Sequence, residues 1–426
     1  MRVHLKTLGC RLNEAELESW ARDFQQQGIR PSGSPDDADL LVINTCAVTE
    51  EAVKKSRKLL RRAQRDNPRA KLVVSGCYAS LNPEQAAADL GVDLIVPNTD
   101  KERLAEIAIR ELALPTMPVT AMEPDSYSPL RRNRQRAFIK VQDGCRYRCS
   151  YCIVTLARGE ERSRSIPEVI TEINTLAEQG IQEVVLAGVH LGGYGSDTGD
   201  NLKKLVETVL SDTDIPRIRL GSLEPWDLPE DFWSLFNNPR LMPHLHLPMQ
   251  SGADTVLRRM SRRCRSGEFL QLVDAARRQI PDFNVTTDII VGFPGETEDE
   301  WHQTLEFVEQ AAFGHVHIFA FSPRSGTKAA MLPNPVPREV KRQRSEALHE
   351  LAERLKEERL RQELGKVGEV LVEGSPSEID GSLLWSGYLP NYLRVNFPSP
   401  EELTNRIVRV RMESLDDEGL SGSLVQ

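Results

Sequence analysis

Short apolar runs alternate with segments of helical period through residues 1–115. VHLKTL (3–8), LLVINT (40–45), LVVSG (72–76) and LIV (94–96) are short apolar runs that predict buried strands of a parallel sheet. Between them, segments 14–27, 50–66 and 83–90 place apolar residues at helical spacing. The pattern predicts a βαβ-type domain over 1–115.

From 137 the alternation restarts. FIKVQDG, EVVLAGV, RIRLGSL, HLHLPM, NVTTDIIVGF and HVHIFAF read as six strands, separated by helical segments such as 167–179, 201–210, 254–260 and 266–280. Six such units predict a partial (β/α)6 barrel within 137–364, with its chemistry at the carboxyl ends of the strands. A charged helix, 338–364, follows the Pro-rich break 333–337. The stretch 116–136, rich in Pro, Ser and Arg, predicts a linker. Over 365–426 the character changes: GKVGEVLVEG, SLLWSGYLP, LRVNF, RIVRVRM and GLSGSLVQ are short, turn-bounded and without helical period. They predict a small all-β barrel. The expected fold class is α/β, with a β-rich tail.

Composition changes this picture little. Of 426 residues, 39% are hydrophobic and 27% charged, the balance of an ordinary globular chain. No run approaches the ~18 apolar residues of a membrane helix. The opening MRVHLKTLGC meets charge too early for a secretory signal, so a cytoplasmic protein is expected. The net charge of −9 argues against a nucleic-acid partner, but the charges are segregated. Lys54, Lys55, Arg57, Lys58, Arg61, Arg62, Arg65 and Arg69 form one basic run. Arg131, Arg132, Arg134 and Arg136 form a second, and Arg258, Arg259, Arg262, Arg263 and Arg265 a third. Each is either a solvated face or a phosphate-binding one.

Seven cysteines, an odd number without a signal peptide, favour metal or redox chemistry over a disulfide framework. Cys145, Cys149 and Cys152 follow a predicted barrel strand with Cys-x3-Cys-x2-Cys spacing. Thiolates are soft ligands suited to iron–sulfur clusters, and three on one loop hold three irons of a [4Fe–4S] cluster and leave the fourth open. A zinc site would want a second cysteine pair, which the sequence lacks. Cys10, Cys46 and Cys77 each follow a predicted strand of the first domain (TLGCRLN, INTCAV, VSGCYAS). In a parallel sheet they would converge on the carboxyl edge, predicting a second three-cysteine cluster. Cys264 has no partner at cluster spacing and reads as an incidental thiol.

The 145–152 loop, with Tyr151 just before its last cysteine, resembles the signature of the radical S-adenosylmethionine (SAM) superfamily. The resemblance implies that the open iron chelates SAM, that reductive cleavage of SAM generates a hydrogen-abstracting 5′-deoxyadenosyl radical, and that Tyr151 lies beside the adenine. The N-terminal three-cysteine domain, the barrel and the small β-tail together resemble the methylthiotransferase family across essentially the whole chain. By the same resemblance the tail, with GKVGEVLVEG and GYLPNYLRV, is similar to a TRAM domain, an RNA-binding module.

Four further strand-end motifs fit this frame. Gly188 and Gly192 lie in GVHLGGY, where glycine permits close approach of a ligand's amino acid end. Ser222 and Glu224 (SLE), Gln250 (HLPMQSG) and Asp288 (DIIVGFPGE) place polar groups at other strand ends, as contacts for SAM or substrate. No spaced histidine cluster is evident, so no metal role is expected for histidine.

The family resemblance implies methylthiolation with two SAM molecules and two [4Fe–4S] clusters, the barrel cluster supplying the radical and the N-terminal cluster holding or donating sulfur. Both open irons must then face the substrate. LGCRLNEAE, INTCAV, GCYAS and HLHLPMQSG look most like the branch acting on N6-threonylcarbamoyladenosine next to the tRNA anticodon. The branches acting on isopentenyladenosine and on a ribosomal-protein aspartate remain alternatives, as does a non-catalytic Fe–S RNA-binding protein. The expected partners are the tRNA anticodon stem-loop and an electron donor such as a flavodoxin or ferredoxin, with neither membrane nor DNA.

Overall fold

A computed structural model describes residues 1–116, 136–379 and 382–425. Arg131, Arg132 and Arg134, and all but the ends of the expected 116–136 linker, lie outside them. The chain divides into two compact units. One comprises Met1–Arg132, Asp143–Glu161 and Ser322–Ala330; the other comprises Asn133–Gln142, Arg162–Phe321 and Met331–Gln426. The cysteine loop expected within the barrel region therefore packs with the N-terminal residues.

The first unit is built on a parallel sheet of β1 (Arg2–Thr7), β2 (Arg30–Pro31), β3 (Leu40–Thr45), β4 (Lys71–Gly76) and β5 (Leu94–Ile95), in the order β2-β1-β3-β4-β5. β3 is central and buried along its whole length. Its alternation decides the two cores: Leu40 and Val42 pack with Trp20, Phe24 and Leu104, whereas Leu41 and Ile43 pack with Leu60, Tyr78 and Ala79. The covering helices are α1 (Arg11–Gln26), α2 (Glu50–Asp66), α3 (Cys77–Leu81), α4 (Pro83–Leu90) and α5 (Leu104–Glu111). α1 begins three residues before the expected 14–27 because Cys10 is its N-cap. α3 and α5 have no counterpart among the expected helices; α3, at five residues, is too short for period alone to separate from loop.

In the second unit all six expected barrel strands form: Arg136–Lys140, Glu183–Ala187, Arg217–Leu220, His244–His246, Asn284–Val291 and His315–Ala320. They are parallel and adjacent in chain order, with single bridges Ile218–Leu241 and Ser222–His246 joining the two three-stranded halves. The tail closes into a five-stranded barrel around Trp385 and Phe397. It is seated on arginines near the amino ends of the strands. Arg217 donates to Tyr388 O and Glu369 O, and Arg219 to Pro390 O. Glu183 sits among these cations, bonded to Arg136 and Arg219 with no exposure. Burial pushes its carboxyl up, but Arg219 and Arg136 overcome this and bring it down to about 2.

Candidate functional site

In the first unit, Cys10, Cys46 and Cys77 follow β1, β3 and β4, three adjacent strands, at the carboxyl edge of the sheet. The sequence expectation of a common edge is met. Gly9 has φ +112, and a Cβ there would lie 2.9 Å from Cys46 Cβ and 3.0 Å from its Sγ. Only glycine lets the Cys10 turn close down on Cys46. Ser56 of α2 brackets Cys46, accepting from its N–H at 3.1 Å and donating to its carbonyl at 3.0 Å. Burial pushes the Cys46 thiol up; the Cys77 and Cys10 thiols push the same way, while Arg158 pulls it down. The three sulfurs thus form one electrostatic neighbourhood. Among the described residues no cysteine is joined in a disulfide.

Cys145, Cys149 and Cys152 lie on a half-buried loop in the same unit. Cys145 N–H donates to Gly159 O at 3.1 Å, and Cys152 N–H donates to Cys149 O at 3.0 Å. Gly144, φ +73, would place a Cβ 1.8 Å from Glu160 O, so glycine is required where the two arms of the loop meet. Thr155 Oγ1 donates to Tyr147 O, and Ala329 N–H to Ser150 O, fixing the loop from both sides. The loop leads into the short helix α6 (Val154–Arg158). Two sets of three thiols, each on a backbone held by protein hydrogen bonds, fit the donor chemistry of [4Fe–4S] clusters, in which three thiolates leave one iron open.

α6 ends on a charge cluster that the sequence pattern does not announce. Arg158 donates to Asn13 Oδ1 at 2.6 Å, Glu16 Oε1 at 2.8 Å and Asp143 Oδ1 at 3.1 Å. Lys101 Nζ lies 2.5 Å from Glu16 Oε1 and 2.6 Å from Asp143 Oδ2. Glu16 Oε2 also accepts from Asn44 Nδ2 at 2.9 Å. Burial opposes the Arg158 charge, but Glu16, Cys77, Asp143 and Cys10 hold it firmly protonated.

Tyr151 lies in the first unit with its loop, whereas Gly188, Gly192, Ser222, Glu224, Gln250 and Asp288 belong to the barrel strands and strand ends of the second. Ser222 is exposed and bridges to His246. Gln250 adopts φ +81, held by its N–H to Asp288 O and by its carbonyl from Ile290 N–H, both at 2.8 Å. A left-handed glutamine costs about 1–3 kcal/mol, and such strain concentrates at ligand clamps. Glu224 Oε2 stands 3.7 Å from His190 Nε2, which bonds Asp227 Oδ2 at 2.6 Å. Burial raises the Glu224 carboxyl, while His190 and Arg262 pull it down. Close approach at the two glycines is made by protein side chains: a Cβ at Gly188 would meet Gln142 Oε1 at 2.9 Å, and at Gly192 Asp227 Cβ at 2.7 Å.

A histidine cluster also forms here, against the expectation of none. His246 Nε2 is 3.2 Å from Asp288 Oδ1, and the His246 and His317 rings are 5.4 Å apart. The signal was the repeat His-x-His on the strands flanking Asp288, since residues two apart share one face. Cys264 is buried, with burial pushing it up to about 12, as an inert core thiol would be.

Residues 2–97 match an uncharacterized protein family, UPF0004, and residues 139–308 match the radical SAM superfamily. Threonylcarbamoyladenosine tRNA methylthiotransferase MtaB of Bacillus subtilis (strain 168) is 36% identical, covering 96% of this chain and 93% of its own. MtaB of Thermotoga maritima is also 36% identical, over 98% and 96%. A tRNA-2-methylthio-N(6)-dimethylallyladenosine synthase of Akkermansia muciniphila is 34% identical, over 97% and 96%. Among solved structures, the radical SAM methyltransferase TsrM of Kitasatospora setae, with cobalamin and a [4Fe–4S] cluster bound, superposes with a TM-score of 0.58 at 17% identity. It covers 78% of this chain and 77% of its own, a likeness of fold. Near-complete coverage at this identity, on top of the two cysteine sets, places the chain in the radical SAM tRNA methylthiotransferase family.

Proposed function

We propose that this enzyme converts N6-threonylcarbamoyladenosine next to the tRNA anticodon into its 2-methylthio derivative, consuming two SAM molecules and using two [4Fe–4S] clusters. Cys145, Cys149 and Cys152 would hold the cluster that binds SAM, and Cys10, Cys46 and Cys77 the second. Reductive cleavage of SAM at the first cluster supplies the radical that removes a hydrogen from a carbon carrying no acidic proton. The electron would come from a flavodoxin or ferredoxin in the cytoplasm. Residues 1–115 would form the methylthiotransferase domain, 137–364 the radical SAM barrel and 365–426 the TRAM-like RNA-binding module.

One observation favours threonylcarbamoyl over dimethylallyl as the N6 substituent. The barrel mouth is lined by polar side chains: Gln250, Glu224, Asp288, His246 and His317, with Arg262 stacked 4.3 Å over Trp226. A threonylcarbamoyl group offers a carboxylate, a hydroxyl and carbamoyl donors and acceptors to such walls. A hydrocarbon substituent would leave them desolvated and unpaired. Gln250 and Asp288, joined through backbone, would orient the nucleoside or SAM, and Tyr151 would stack on the adenine of SAM.

The test is in vitro. The reconstituted enzyme is given SAM, reductant and anticodon stem-loops carrying either modified adenosine, and the nucleosides are separated by mass spectrometry. Methylthio product from the threonylcarbamoyl substrate supports the assignment; product only from the dimethylallyl substrate overturns it. SAM cleavage absent from every reaction would remove the chain from catalysis altogether.

A further inference from the structure

Three consecutive residues at the end of α6 and its cap link the two cysteine sets, two of them through asparagine side chains. Ala157 O accepts from Asn98 Nδ2 at 2.7 Å, and the same Nδ2 lies 3.9 Å from Cys77 Sγ. Arg158 donates to Asn13 Oδ1 at 2.6 Å, and that same oxygen accepts from Cys10 Sγ at 3.6 Å. Gly159 O accepts from the backbone N–H of Cys145. The strip 157–159 therefore runs from Cys77 and Cys10 on one side to Cys145 on the other, all within the first unit.

Arg158 belongs to a sealed set of two cations and two anions with Lys101, Glu16 and Asp143, none of the four side chains more than 4% exposed. Such a set is a weak source of stability, because apolar residues of equal volume often do as well. What apolar residues would lack is a fixed electric field. Away from water that field is weakly screened, so a guanidinium sharing an acceptor with Cys10 acts strongly on any charge that develops at Cys10, Cys46 and Cys77.

We propose that Arg158 is a positioning residue that joins the two cysteine sets into one rigid frame and raises the reduction potential of the cluster held by Cys10, Cys46 and Cys77. The inference rests on reading those three cysteines as cluster ligands. Reduction adds one electron to a thiolate-ligated cluster and breaks no bond. Cluster potentials follow net charge and hydrogen bonding around the sulfurs, and a nearby fixed cation favours the reduced form. Glu16, bonded to the same guanidinium, acts in the opposite sense.

The experiment uses the full chain carrying Cys145→Ala, Cys149→Ala and Cys152→Ala, reconstituted anaerobically so that only the N-terminal cluster remains. Its midpoint potential is read by electron paramagnetic resonance, with dithionite as the one-electron reductant. Adding Arg158→Met should lower the reduced-to-oxidised ratio at fixed potential about tenfold, about 59 mV for a one-electron couple. Glu16→Gln should shift it in the opposite direction, and Arg158→Lys, which keeps the charge, should shift it less than Arg158→Met. General loosening of the fold would not reverse sign between Arg158→Met and Glu16→Gln. Iron bound with an unchanged midpoint, or both variants shifting the same way, overturns the role of Arg158 and leaves the cysteine assignment standing. Absence of iron before Arg158 or Glu16 is altered overturns the cysteine assignment and the inference with it. Should Arg158→Met alone lose its cluster, Glu16→Gln decides: no upward shift overturns the proposal.

Discussion

Lys101 Nζ lies 2.6 Å from Asp143 Oδ2, and both side chains are sealed from solvent. Asp143 stands two residues before Cys145 and caps the start of its loop by accepting from Gly144 N–H at 2.8 Å. Lys101, whose carbonyl accepts from Trp20 Nε1 at 2.8 Å, belongs to the sheet domain that carries Cys10, Cys46 and Cys77. The pair thus anchors the base of one cysteine loop to the core beneath the other set.

Lys101→Met should therefore destabilise the first unit by about 3–5 kcal/mol, because it removes a buried cation that lies against both the Glu16 and Asp143 carboxylates. Native-state hydrogen exchange of β3 amides measures this directly. Unchanged β3 protection would mean that the pair contributes nothing to the fold of this unit.

Anaerobic reconstitution of the wild-type chain should give about eight irons, as two four-iron clusters. The variant lacking Cys145, Cys149 and Cys152 should retain about four. Iron analysis that finds none in the variant would refute a cluster at Cys10, Cys46 and Cys77.

Alanine at Cys10, Cys46 or Cys77 should abolish methylthio product while 5′-deoxyadenosine still forms from SAM. Chromatography of both products from one reaction tests the division of labour. Loss of SAM cleavage, with the Cys145–Cys152 cluster intact by spectroscopy, would count against it.

The terminal barrel supplies backbone acceptors to the buried Arg217 and Arg219, so removing residues 365–426 would take partners from both guanidiniums. Charge reversal is the sharper test of RNA binding. Arg409 and Arg411 are exposed on the tail strand Ile407–Leu415, and Lys58 and Arg61 are exposed on α2. Arg409→Glu with Arg411→Glu should weaken tRNA binding and flatten its dependence on salt by roughly one unit of slope for each phosphate no longer neutralised. Unchanged affinity and slope would exclude the tail strand as an RNA-holding element, and Lys58→Glu with Arg61→Glu would then test α2.

Glu183 makes the seat of the tail sensitive to acid. Its folded pKa, about 2, lies below the ordinary glutamate value, so the unfolded chain binds the proton first as pH falls. Its stabilising contribution is full above the ordinary value near 4.5 and disappears as pH falls from there to about 2. Glu183→Gln should flatten that part of the stability profile and cost about 3–5 kcal/mol near neutrality, where Arg136 and Arg219 lose their buried counter-ion. Thermal melts between pH 2.5 and 7 check it; an unaltered acid limb would show that other carboxylates govern it.

Strand positions were legible because short apolar or alternating runs, such as β3 and Glu183–Ala187, recur between longer segments of helical period. The cysteines were legible because a residue just beyond a parallel strand can only sit at one edge. Sequence alone thus determined two sets of three thiols and the barrel that accompanies one of them. It could not reveal that Arg158 meets Glu16, 142 residues away, or Asn13, 145 residues away. In sequence, Glu16 and Lys101 look like the charged faces of solvated helices, and nothing local distinguishes them from residues that stay in water. His246, Asp288 and His317 left a partial trace in the His-x-His repeats, but strand register is what makes them neighbours. Burial decides which charges must find partners, and burial is a property of the packed chain, so the thiols could be placed from their strands while their electrostatic surroundings were set by tertiary structure.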